Sequence, residues 1–433
     1  MLPVAIVAAL VSAQAGAAGW TRFLGSNPNF PNQLADNGLA VDAGGLVAVQ
    51  AYNRLPWSGQ IEFTHEYTLA ADGTIPWIWG SIGKGASYAM TPRGVDQRDG
   101  HRLVWIERAD DPLSSHDDFS AVLPNSSQPL WWLSEPRTGG HVVRAISGGV
   151  DGGFVLRALD AAAGFEVIAF DSALPRWRAT VQPCFNGTAP AHLELDYAPF
   201  GVWPSVSTLS VAGSCDDGVS PPQVFVQRFD SYDGTQAATE WLDAAPDRQL
   251  THLAFSPAHE LVAVHSTPWP LKEVQRVPAP GMPFTGPMGV LFGVDQVVAL
   301  APAAADTLVI VGTDVNGDPV SSTVWPQGAV TPPLPLAGLA AFPGGGWRFA
   351  AGQNETLLAL RTESGGAAPL VRLIGLDAYG QIAWSDTVTD ILPGAVPQAV
   401  PAKDAAGGFI VAVDRQDAGG TTGIEVRRVG STP

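Results

Sequence analysis

Apolar and polar positions along this chain fall into short runs broken by turns, and residues 371–384, VRLIGLDAYGQIAW, show the unit most clearly. An apolar, branched run (371–376) leads into Asp377-Ala378-Tyr379-Gly380, and a second run ends on Trp384. Asp and Gly suit a tight turn, and branched or aromatic residues suit paired strands, so the stretch predicts a β-hairpin. Two such signatures recur. One is a turn, often with paired glycines, ahead of an apolar strand: Asp42-Ala43-Gly44-Gly45-Leu46, Asp151-Gly152-Gly153-Phe154, Pro343-Gly344-Gly345-Gly346-Trp347 and Ala406-Gly407-Gly408-Phe409. Variants stand at Asp99-Gly100-His101 and at Phe255-Ser256-Pro257. The other is a turn followed by a strand that ends in Trp, at Trp77, Trp241 and Trp384 and more loosely at Trp132, Trp177 and Trp325.

The two signatures alternate, as a four-stranded sheet requires if the first joins its inner strands and the second its outer pair. Units begin near Leu39, Ala86, Val142, His192, Thr251, Gln296, Leu336 and Ala399. Length alone suggests two or three domains, but repeats override that prior. The expected fold is all-β: a single β-propeller over residues 19–433 with eight four-stranded blades. Seven is the alternative, because the units at Gln296 and Leu336 are short and rich in proline. The last unit runs through Ile424-Glu425-Val426-Arg427-Arg428-Val429 and lacks a Trp-bearing outer strand. Gly19-Trp20-Thr21-Arg22-Phe23 is conversely a strand with no hairpin before it. Pairing the two closes the ring and satisfies both edges; the rival arrangement packs the N-terminal strand elsewhere.

The pieces Asp377-x-x-Gly380-x-x-x-Trp384 and Phe255-Ser256-Pro257-x-x-x-Leu261-Val262-Ala263 resemble repeats of secreted bacterial β-propellers of the broad WD40-like and quinoprotein-like group. The resemblance extends over nearly all of the chain after the leader and implies fold, not activity. The Gly-His…Trp-Asp signature of eukaryotic WD repeats is missing, as are a regular Trp-docking repeat and a vicinal cysteine pair, so no quinone cofactor is expected.

Composition sharpens the picture. Forty-eight glycines and 37 prolines leave few stretches able to sustain a helix. A formal charge of −18 repels phosphate backbones and anionic lipid, so nucleic acid and membrane surfaces are poor partners. Residues 1–18 combine an apolar run with Ala-x-Ala sites and no charge, the pattern of a signal peptide without its usual basic start. The run is too short to span a bilayer. The protein is therefore expected to be exported, periplasmic or extracellular, and monomeric. Its only cysteines, Cys184 and Cys215, are expected to form a disulfide, with two separate buried thiols as the alternative.

Candidate chemistry is sparse. His259-Glu260…His265 fails as a zinc helix because Ala263 stands where the second His is needed. His116-Asp117-Asp118 sits in a polar stretch (110–120) read as a solvated loop. His65 and Glu66 point to opposite faces of a strand, while His101 and His141 have no partner set by spacing. Gly80-Ser81-Ile82-Gly83-Lys84 lacks the flanking residues of a phosphate loop. Asp314-Val315-Asn316-Gly317-Asp318 begins like a calcium loop, but no acid closes it, so it reads as an Asn-Gly hairpin turn. Of 14 tryptophans, those at blade ends are expected to pack between blades. Trp57, Trp203 and Trp269, beside prolines in loops, are the candidate ligand contacts. Asn125, Asn186 and Asn354 stand in glycosylation sequons. No catalytic residue, metal site or cofactor is legible. The reading that follows is a non-catalytic exported propeller binding a protein or polysaccharide through loops on one face. The alternatives are a carbohydrate-active hydrolase or lyase with its site in the central funnel, and an envelope assembly scaffold.

Overall fold

Several of the recurring turns close a hairpin through their own aspartate. Asp377 Oδ1 accepts the backbone N–H groups of Tyr379 at 2.8 Å and Gln381 at 2.9 Å, and Gly380 takes the left-handed φ of 81° that the turn requires. Asp42, Asp72, Asp314 and Asp417 cap their turns in the same way, so residues 314–318 form the hairpin turn expected of them. In a computed structural model these hairpins assemble into eight four-stranded antiparallel sheets. The structure describes residues 19–430 apart from stretches in the connections, chiefly 26–31, 55–60, 83–88, 185–189, 200–206, 217–222, 243–247, 278–286, 340–346 and 363–368.

Within seven of the sheets the strands follow chain order, as do the first three strands of the eighth, and the inner strand of every sheet touches the inner strands of its two neighbours, the first sheet meeting the last. These inner strands are Asn32–Val41, Ala89–Arg98, Gly140–Ser147, Ala191–Ala198, Gln249–Phe255, Gln296–Pro302, Trp347–Ala351 and Gln398–Pro401. The protein is an eight-bladed β-propeller. Seven of the eight expected starts fall within a strand or a few residues from one. Leu336 does not: it is buried against the junction of blades 6 and 7, and the seventh inner strand begins only at Trp347. The glycine-rich copy at residues 343–346 lies outside the described residues, as do residues 1–18.

The core is divided by junction. Eight apolar clusters among the described residues correspond to the eight contacts between neighbouring blades. Blades 3 and 4 meet through large rings; Phe154 stacks on Tyr197 at 5.1 Å and Trp177 on Phe229 at 5.9 Å. Blades 1 and 2 meet through the smallest cluster: Ala40, Ala48, Val95, Val104, Ile106 and Val122. Polar groups complete that junction, with Arg102 donating to Thr68 Oγ1 at 2.9 Å and facing Glu66 at 3.6 Å.

Ring closure is the expected one. Thr21–Gly25 pairs antiparallel with Thr422–Val429 and supplies the outer strand of blade 8. Trp20 drives its indole N–H onto Ala71 O of blade 1 at 2.7 Å. A Cβ on Gly73 would lie 2.5 Å from that indole, so only glycine lets the ring settle on the turn. Trp177 repeats the arrangement on blade 4, donating to Ser231 O at 2.9 Å above Gly234. Cys184, in the connection entering blade 4, is disulfide-bonded to Cys215 at the end of that blade's second strand.

The same closing junction carries a titrating group. Asp414, on the second strand of blade 8, accepts the backbone N–H of Leu34 in blade 1 at 2.8 Å, and burial pushes its carboxyl up to about 7. The folded chain then holds a proton that the unfolded chain releases near pH 4, so this group's contribution is present at acid pH and lost as pH rises toward 7. Asp414→Asn keeps an acceptor for Leu34. It should remove on the order of 2 kcal/mol of that decline, read as the difference between urea unfolding midpoints at pH 5 and pH 8. An asparagine variant with the wild-type pH slope would refute this assignment.

Candidate functional site

The central channel is lined by the inner strands, and six of them share one irregularity. The pairing of inner and second strand slips between Leu34 and Leu39, Pro92 and Gly94, Val142 and Arg144, Ala191 and Glu194, Leu250 and His252, and Val297 and Ala299. A bulge frees residues from the ladder and re-aims their side chains. Those freed here include Asp36, Asn37, Arg93, Val143, His192, Thr251 and Val298. Asn37 and His192 adopt φ of 50° and 51°, a left-handed conformation that non-glycine residues seldom take and that surrounding structure must hold in place.

Bonds within and across the blade junctions brace the residues around them. Arg93 Nε meets Glu107 Oε2 at 2.7 Å, and its NH1 reaches Asp36 of blade 1 at 3.3 Å. Arg144 of blade 3 meets Glu194 of blade 4 at 3.1 Å. Asp196 of blade 4 meets His259 Nδ1 of blade 5 at 2.8 Å, and His252 of blade 5 meets Val298 O of blade 6 at 3.3 Å. Burial raises the Glu194 carboxyl above the usual range, Arg144 partly reverses this, and Asp196 adds to it. Burial likewise lowers His252 below the ordinary histidine value. Between blades 2 and 3 the wall opens into a cavity of about 250 Å³, with Asn37, Arg93, Asp96, Trp105, Arg144 and Ile146 among its lining.

Behind this cavity lies a layer of opposed charges between blades 2 and 3. Asp117 accepts the Trp105 indole N–H at 3.1 Å and faces Arg137 at 3.3 Å. Arg178 reaches both oxygens of Glu135 at 2.7 Å, and Arg157 pairs with Glu166. This corrects the reading of His116-Asp117-Asp118 as a solvated loop. The residues belong to the strand Ser114–Val122, and Asp117 and Asp118 are 1% and 2% exposed. The cause is arginine: Arg137 on one face and Arg108, 3.3 Å from Asp118, on the other make burial of two carboxylates tolerable.

The three loop tryptophans, Trp57, Trp203 and Trp269, lie outside the described residues, as do Asn125, Asn186 and Asn354. His101 opens a strand beside its own turn, and its Nδ1 lies 3.1 Å from Asp99 O. Among the described residues no group of three His, Cys, Asp or Glu side chains is placed to hold a metal ion. The channel residues were not legible beforehand, because the six bulged inner strands contribute from one to four freed positions each, with no repeated motif among them.

No family model matches the sequence, and neither does any curated protein. Solved structures match at the level of fold. Prolyl oligopeptidase B from Galerina marginata aligns at 10% identity with a TM-score of 0.48, covering 94% of this chain and 56% of that one. A post-proline cleaving enzyme from Rickettsia typhi aligns at 9% identity and a TM-score of 0.48, covering 91% and 58%. Kluyveromyces lactis Hsv2 aligns at 7% identity and 0.45, covering 83% and 98%. This chain thus spans somewhat over half the length of the two peptidases, and the likeness concerns architecture alone.

Proposed function

We propose that the protein is an exported, non-catalytic binding propeller, and that the channel wall of blades 1 to 4 takes a polysaccharide partner. The observation that carries this reading is the cavity between blades 2 and 3. Two arginines border it with their charges already balanced by Asp36, Glu107 and Glu194, so their remaining N–H groups act as hydrogen-bond donors, not as an anion trap. Asn37 adds an amide and Trp105 an apolar surface. Donors beside an aromatic plane, with no unbalanced positive charge, suit the hydroxyls and C–H faces of a neutral sugar ring. At about 250 Å³ the cavity is smaller than the usual drug-sized pocket and suits one end unit of a longer chain. The Cys184–Cys215 disulfide supports an oxidising compartment, and no helix among the described residues is long and apolar enough to cross a membrane.

Titrating the protein with neutral and acidic oligosaccharides, followed by tryptophan fluorescence, tests the proposal. Arg144 is about half exposed, so Arg144→Ala should fold normally and weaken neutral saccharide binding about tenfold or more. An R144A protein with full affinity, or a panel without binding, would sink it. One observation favours a second reading, a carbohydrate-active enzyme: Glu194, its carboxyl raised, neighbours Asp196, whose carboxylate holds His259. Glycoside cleavage uses a pair of neighbouring carboxyl groups, one of them held as the acid. Shortened products that vanish with Glu194→Gln would favour it.

A further inference from the structure

The blade 2 and 3 junction carries a second depression, of about 300 Å³, lined by residues of the hairpin turns at 98–101, 148–152 and 171–174 and of the adjoining strands. Its apolar lining is Leu103, Ala121, Leu130, Trp131 and Val150. Leu130 and Val150 are left 52% and 75% exposed beside it, while Leu174, 72% exposed, stands in the same short turn as the lining residue Asp171. Water-facing apolar side chains grouped around a hollow mark a place where another chain is received. The one-turn helix Gly149–Asp151 lifts Val150 to the rim. A Cβ on Gly152 would strike Phe170 O at 2.1 Å, so this turn keeps its shape only with glycine.

The charges around the hollow decide what fits. Asp171 lines it, and Asp99 lies across from Gly149, where a Cβ would come within 3.0 Å of its Oδ2. Of the nearby cations, Arg176 pairs with Asp171 and donates to Ser231 O, Arg102 faces Glu66 and donates to Thr68, and Arg98 is turned toward Tyr197, donating to its carbonyl and lying over its ring. The whole chain carries −18. We infer that this hollow is a docking site for a partner protein's segment that presents one large apolar side chain flanked by lysine or arginine. The apolar side chain enters between Leu130 and Val150, and its basic neighbours face Asp99 and Asp171. Leu103 borders both hollows, but Leu130, Val150 and Asp171, which carry the docking, border only this one.

Fluorescence anisotropy with three labelled ten-residue peptides, carrying Lys-Phe-Lys, Lys-Gly-Lys or Glu-Phe-Glu at the centre, tests this. The first should saturate the protein below about 1 mM and bind at least about tenfold tighter than the other two. Leu130→Glu and Val150→Lys, both at exposed positions, should each lower that affinity about tenfold without moving the melting temperature, and Arg144→Ala should leave it unchanged. Equal binding of the Phe and Gly peptides would overturn the proposal by showing charge attraction alone. No saturation, or full affinity in both rim variants, would overturn it as well.

Discussion

A chain that lacks residues 19–25 should lose roughly 5 kcal/mol or more of stability, several degrees in melting temperature, and should aggregate as it unfolds. The estimate starts from Trp20 and Leu24, both buried in the cluster that joins blades 8 and 1; removing a buried Trp or Leu side chain typically costs about 2–5 kcal/mol. Bonds are lost as well. Asn32 donates to Leu24 O at 3.0 Å, Arg22 to Gly73 O at 2.7 Å, and Arg428 N to Trp20 O at 2.8 Å. Deletion also bares the edge of Thr422–Val429, whose free N–H and C=O groups then template pairing with another chain. Trp20→Ala alone, which leaves the strand, should cost about 3 kcal/mol. Differential scanning calorimetry of the three proteins decides; a deletion that melts with the full chain would show that the ring does not depend on this strand.

The second large effect is expected where blades 1 and 2 meet. Arg102 and Glu66 are 1% and 3% exposed, and at 3.6 Å their contact is longer than a hydrogen bond. Burial raises the Glu66 carboxyl to about 7, although Arg102 pulls the other way. Replacing Arg102 with Met leaves a buried carboxyl with no counter-charge, which typically costs about 3–5 kcal/mol. The cost should depend on pH. A raised carboxyl pKa means that stability is present at acid pH and lost as pH climbs through 7, and without Arg102 the loss continues at higher pH. Urea unfolding should therefore find R102M far weaker at pH 8.5 than at pH 6. Adding Glu66→Gln should recover most of the deficit at pH 8.5. An R102M protein within about 1 kcal/mol of wild type at both pH values would refute the argument.

The architecture was readable because it rests on local chemistry that repeats. Asp-Gly turns such as 377–380 fix each hairpin within a few residues, and alternation of the two turn types gives four strands per sheet. Even the closing strand at Trp20 was visible, as a lone strand matched by a last unit one strand short. The one displaced start, Leu336, was a fair reading of an apolar position. That side chain is indeed buried, but against the junction that follows blade 6, whose outer strand is only Leu334–Pro335. Burial alone does not distinguish the tail of one repeat from the head of the next. The channel site was hidden for a different reason. Arg93, Val143, Thr251 and Val298 occupy equivalent bulges, yet each bulge shifts the alternation by only one residue, and an arginine, a threonine and two valines form no recognisable motif. The charged layer behind Trp105 was hidden too, since Arg137 meets Glu107 and Asp117 only once the strands of blade 2 pair, and Arg157 and Arg178 meet Glu135 only after blades 2 and 3 are stacked.

The closing strand also has a bearing on how the molecule is made. Thr21–Gly25 leaves the ribosome before any of the other blade strands, and its partner Thr422–Val429 only after the inner strands of all eight blades. Early blades must therefore wait with Trp20 undocked or docked only on the turn at Gly73, while the strand that shields blade 8 has nothing to pair with. Completion is a single late event that links residues hundreds of positions apart, as in the bond between Leu34 and Asp414, 380 apart in the chain. Such distant pairings slow folding. The interval before closure, with an open circle and two bare edges, is when a chaperone at the point of emergence has most to protect.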